Sequence, residues 1–119
     1  MYYAFALCMG LAIALQAPIN AVLARSLGGS VLVSALISFL VGALCLALLA
    51  YFSGVLHLET LKALPQQPLW KFLGGVLGAF FVFGTILLAP KIGLINMFLI
   101  VLIGQLITSM IFLIELNSS

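Results

Sequence analysis

Two amide side chains, Gln16 and Asn20, stand four residues apart inside an otherwise apolar run, with Pro18 between them. That spacing puts both on one face of a helix. Pro18 supplies no backbone N–H, so the Ala14 carbonyl loses its usual helical donor. Amides carry donors and acceptors together and do not titrate, which suits a neutral or zwitterionic solute, or a passing cation held by dipoles. A helix interrupted at membrane depth can expose backbone groups in the same way. The competing reading is structural: both amides hydrogen-bond neighbouring helices, for a gain of about 0.6 kcal/mol each.

A second polar group lies near the other end of the chain. Gly93, Ile100, Gly104 and Ile111 form one helical stripe with Asn96 at its edge, while Gln105, Thr108 and Ser109 cluster away from it. One helix thus carries a close-packing face and a polar face, so Asn96, Gln105 and Ser109 join Gln16 and Asn20 as candidate solute contacts. Between the two groups, Gly74 and Gly78 make a small-xxx-small face shared by Phe81 and Thr85, a signal for close helix approach. Gly74, Gly78, Gly93 and Gly104 are therefore the expected packing or dimer positions.

Other chemistry is thinly supplied. Cys8 and Cys45 lie in apolar runs, where a thiol packs as a small hydrophobe. With His57 the single histidine, no metal-ligand spacing exists and no cofactor is expected. His57 could carry a proton, but a lone loop histidine is more simply a solvated residue. No segment holds a Ser/His, paired-carboxylate or metal constellation, so an intramembrane enzyme is a distant third reading.

The elements that must position these residues follow from composition. The 119 residues are 66% hydrophobic and 5% charged, with a mean hydropathy of +1.46. A soluble domain of this length carries about a quarter charged residues to cover its surface. Four basic and two acidic residues cannot do so, which predicts an all-α integral membrane protein of one domain over residues 1–119. A bilayer core needs roughly 20 apolar residues of helix. Four spans meet that requirement, at about 3–24, 31–52, 72–89 and 92–114, and short connections make consecutive spans antiparallel neighbours in a four-helix bundle. The amino terminus lacks the basic start of a signal peptide and reads as a retained first span.

Residues 53–71 are the one long polar segment, expected to lie at the interface. Leu58, Leu61 and Leu64 recur at near-helical spacing before Pro65 and Pro68, and Trp70 beside Lys71 resembles an interfacial anchor. Lys62 and Lys71 fall on one side of the membrane, Arg25 and Lys91 on the other, so the positive-inside rule makes no choice. Either the chain inserts in both orientations and an inverted copy meets an upright one in an antiparallel dimer, or the terminal amine or Arg25 tips it to one topology. Four scattered cations form no basic patch, so no nucleic-acid partner is expected.

Four separated strings carry a family resemblance: Ala14-Leu-Gln-Ala-Pro-Ile-Asn-Ala-Val-Leu-Ala-Arg25, Pro68-Leu-Trp-Lys-Phe-Leu-Gly-Gly-Val-Leu-Gly-Ala79, Ala-Pro-Lys-Ile-Gly at 89–93, and Gly104-Gln-Leu-Ile-Thr-Ser109. In this order, over about residues 4–111, they resemble the YdcZ-type inner-membrane exporters of the drug/metabolite transporter superfamily, relatives of the small multidrug resistance proteins. The resemblance implies a bacterial inner-membrane transporter of a small organic solute, working by alternating access, and in the small relatives as an antiparallel dimer. Two departures stand out. The small multidrug resistance proteins carry a titrating glutamate in their first span, where this chain has Gln16 and Asn20. Related chains usually continue past the Gly-Gln-Leu-x-x-Ser stretch with Asp and Gly, where this one reads Met110-Ile-Phe-Leu-Ile-Glu-Leu-Asn-Ser-Ser119. A solute transporter acting in the lipid bilayer as a homodimer is thus the first expectation. The rival is a non-transporting assembly or pore-forming protein that works through helix packing alone.

Overall fold

The computed structural model describes residues 1–118, and among them every regular element is helical. Four helices are long and apolar enough to cross a membrane: α1 (Tyr2–Ser26), α2 (Val31–Phe52), α4 (Leu73–Ile92) and α5 (Leu94–Ser118), with a short α3 (Leu58–Lys62) in the loop before α4. The long runs of Leu, Ile, Val and Phe make α1, α2, α4 and α5 apolar over most of their surface, as helices solvated by lipid must be. Two single turns of 3₁₀ helix, Leu64–Gln66 and Leu69–Phe72, follow α3 where Pro65 and Pro68 prevent a longer α-helix.

Helix ends are set by local chemistry. Gly28 and Gly29 take positive φ after α1 (77° and 84°), and the Gly29 N–H reaches back to the Ala24 carbonyl at 2.8 Å, closing the last turn. Ser30 then caps α2, its hydroxyl accepting from the Val33 N–H at 3.2 Å. Helix α4 continues through Pro90 to Ile92. A proline in the final turn costs only the bond to the Ile86 carbonyl, so the helix survives it. The break comes three residues later, at Gly93, whose φ of 87° and ψ of 146° favour a residue without Cβ.

Helices α1, α2 and α4 pack pairwise, whereas α5 touches only α4. Helices α1 and α4 run parallel to each other and antiparallel to α2. Burial is confined to one half of this trio. Ala17, Asn20 and Ala24 of α1, Ser34 and Ala35 of α2, and Val82, Thr85 and Ile86 of α4 are buried, and all lie toward the 27–30 connection and Pro90. Ala24, Ala35, Val82 and Ile86 form the core, with Val31 and Phe81 against it. Toward the loop 53–71, residues 2–15 of α1, 41–49 of α2 and 73–77 of α4 are exposed. The helices are therefore joined at one end and open at the other. The radius of gyration, 17.1 Å, exceeds the roughly 13.5 Å of a compact soluble chain of this length.

Helix α5 leaves the trio almost at once. Met97 is buried at its start, and every described residue from 102 on is exposed. The four expected membrane-length helices are all present, but they form a three-helix core with the fourth held at its base, because α5 packs only against α4.

Candidate functional site

At the joined end, α1 and α2 face each other through small side chains, and two polar pairs sit in that contact. The Ser34 hydroxyl, fully buried, donates to the Asn20 backbone carbonyl at 2.7 Å. One turn toward the open end, Gln16 and Ser38 line one cavity of about 340 Å³ with Phe39, Gly42, Ala43 and Leu46. The repeat has a simple cause: a step of four along α1 matches a step of four back along its antiparallel neighbour, and both steps keep to one helical face. Gln16, Ser38, Asn20 and Ser34 therefore form a short polar ladder running inward from the open half of the trio.

Asn20 is the unusual rung. Its side chain is 5% exposed, and its Nδ2 is buried without a hydrogen-bond partner. A buried N–H left unpaired is costly, and more so in surroundings this apolar. The Ser34 bond uses the Asn20 main chain, leaving the amide itself free to meet an incoming group. Because the amide can turn about its last bond, it can offer either N–H or oxygen there. Gln16, half-buried, stands between this amide and the open end.

The remaining candidates lie elsewhere. Asn96 is exposed and its Nδ2 donates to the Ile92 carbonyl at 3.0 Å, bridging the break between α4 and α5. Gln105 and Ser109 sit on the exposed part of α5, away from the ladder. Gly78 meets the Phe39 ring of α2: a Cβ there would lie 3.7 Å from it, in ordinary contact. Gly93 forms the turn into α5, and Gly74 and Gly104 face open space within this chain. Ser34 and Ser38 are the residues that the sequence reading passed over. Their spacing of four in span 2 was visible, but serine is common in membrane helices, and the partner across the contact gives the spacing its meaning. Among the described residues there is no group of His, Cys, Asp and Glu able to hold a metal ion.

Four apolar helices of membrane-spanning length make this an integral membrane protein. The family model described as "Putative inner membrane exporter, YdcZ" matches residues 1–113. The chain belongs to that family and is a multi-pass protein of the inner membrane. No curated protein and no solved structure is found to match it.

Proposed function

We propose that the protein carries a small organic solute across the inner membrane by alternating access, with Asn20 and Gln16 as its principal solute contacts. The observation that supports this reading is the buried, unpartnered Asn20 amide at the inner end of the polar ladder. Solute enters from the open half, passes Gln16 and Ser38, and exchanges hydrogen bonds with water for hydrogen bonds with Asn20. Separation of the joined ends around Ala24, Ala35, Val82 and Ile86 would release it to the other side. That interface is small, centred on Ala24, Ala35, Val82 and Ile86, so opening it disrupts little packing.

The working unit in this reading is a homodimer, formed by inverted copies where the even balance of Lys and Arg allows both insertions. Exposed Gln105, Thr108 and Ser109 support it. Gln105 lies 11 residues past the start of α5, about 16 Å along the helix and close to mid-membrane. An amide at that depth calls for protein or a wet cavity beside it. A second copy against α5 would supply both, and would bring Gln105 and Ser109 to the solute path.

The test is a panel of small amines, amino acids and lipophilic cations, scored by thermal stabilisation of the purified protein and then by uptake into proteoliposomes. A ligand that stabilises wild-type protein, is transported, and fails on both counts in Asn20→Leu is the expected outcome. Ligands that stabilise wild type and Asn20→Leu equally would remove Asn20 from the site. Reporter fusions and crosslinking through α5 test the dimer separately.

A further inference from the structure

A second cavity lies at the joined end and on a different side of α1 from Gln16. It has a volume of about 380 Å³ and is walled by Pro18, Ala21 and Val22 of α1, Ile86 and Ala89 of α4, and Leu94 of α5. Every one of these side chains is apolar, yet the cavity also includes Arg25, which is exposed in the last turn of α1. From Pro18 to Arg25 is seven residues, about 10 Å along the helix axis. The cavity therefore runs parallel to α1, from the hydrocarbon layer up to a cation at headgroup level.

That cation is uncompensated. Arg25 has no ion-pair partner among the described residues. Lys91, in the last turn of α4 next to the cavity residue Pro90, adds a second positive charge at the same end. The acidic side chains are far away: Glu59 is in α3, and Glu115 is near the end of α5, which starts at this end and runs to the other. An apolar slot aligned with the lipid chains and capped by unpaired positive charge fits an amphiphile with an anionic head.

We propose that this cavity holds an acyl chain of an anionic phospholipid, with its phosphate on the Arg25 guanidinium. A guanidinium pairs with phosphate oxygens through two parallel N–H donors, which a zwitterionic headgroup engages less well because its own cation competes. The free phospholipid needs no reorientation to enter, since its chain and head already lie at these depths. The bound lipid touches α1, α4 and the start of α5 together, so it braces the end at which the helices meet. This inference rests on the membrane location and the cavity, and stands whether or not Asn20 binds solute.

The experiment is native mass spectrometry of the full chain, delipidated in detergent and given equal amounts of phosphatidylglycerol, phosphatidylcholine or oleate. Phosphatidylglycerol is expected to be retained at about one per chain, and about fivefold more tightly than phosphatidylcholine, the factor that one basic group contributes at a membrane surface. Arg25→Gln should abolish that preference and Arg25→Lys should restore part of it. Val22→Phe, at an exposed cavity position, should fold as wild type and reduce retention by obstructing the slot. Lys71→Gln, which removes the same charge at the opposite end, should behave as wild type. Equal retention of the two phospholipids overturns the proposal, as does a loss in Lys71→Gln matching that in Arg25→Gln. Tighter retention of oleate than of phosphatidylglycerol also overturns it, by assigning the slot to a free single-chain anion.

Discussion

Replacing Asn20 by Leu should make the solute-free protein more stable while removing its ability to bind solute. Leu keeps the branching and heavy-atom count of Asn but is bulkier, so at this 5% exposed position some overpacking works against the gain. The Ser34 hydrogen bond survives, because its acceptor is the Asn20 backbone carbonyl, which Leu retains. What disappears is a buried Nδ2 with no partner. Leaving such a group unpaired costs about 1–3 kcal/mol. In a membrane protein the unfolded state also finds partners for polar groups, which reduces the difference. The expected stabilisation is thus about 1 kcal/mol, toward the lower end of that range. Reversible unfolding in mixed micelles of increasing denaturing detergent, followed by far-ultraviolet circular dichroism, measures it. Thermal shift with a ligand found for the wild type supplies the second readout, where the variant should show none. If Asn20→Leu and the smaller Asn20→Val both lost more than about 1 kcal/mol, the amide would already be hydrogen-bonded in the working protein, and the argument from an unpaired donor would collapse.

Gly78→Leu should destabilise the protein by overpacking against the Phe39 ring, by roughly 1–3 kcal/mol, in a monomer as well as in any assembly. Gly74→Leu and Gly104→Leu have free space within the chain and should leave folding intact, so reduced crosslinking in either one marks contact with a second copy. Gly93→Ala forces a Cβ into the φ of 87° at the α4–α5 turn and should cost about 1–3 kcal/mol, seen as a lower unfolding midpoint. A reporter fused to the carboxyl terminus should appear on both faces of the membrane, and Leu27→Lys should shift the population toward the orientation with residues 27–30 inside. Leu27 is the right place for that charge, because its φ of −101° accepts any side chain, unlike the positive φ of Gly28 and Gly29.

Much of the architecture was legible from the residues alone, because a bilayer imposes a length and a composition that local sequence must satisfy. Apolar runs of about 20 residues announced four helices, and the loop 53–71 announced itself by its prolines and charges. Gly28, Gly29 and Ser30 marked the first connection through the conformations and hydrogen bonds that glycine and serine provide. Gln16 and Asn20 stood out because amides are costly in hydrocarbon. Their helical spacing also placed them on one face before any fold was known.

Contacts between helices were a different matter, since every span is apolar over most of its surface and its polar residues do not mark the buried face, those of α5 being exposed. Pattern alone therefore set four helices side by side, whereas α5 stays with the others only as far as Val101. Nor could the sequence pair Gln16 with Ser38, or Asn20 with Ser34, because the register of two antiparallel helices depends on how their small residues fit together. Burial of the Asn20 amide without a partner, and the convergence of Pro18, Arg25, Ile86 and Leu94 on one cavity, are likewise consequences of packing between distant segments. Local chemistry determined which residues could act, and the tertiary structure decided which of them meet, since meeting depends on side-chain fit across helix contacts that no single segment encodes.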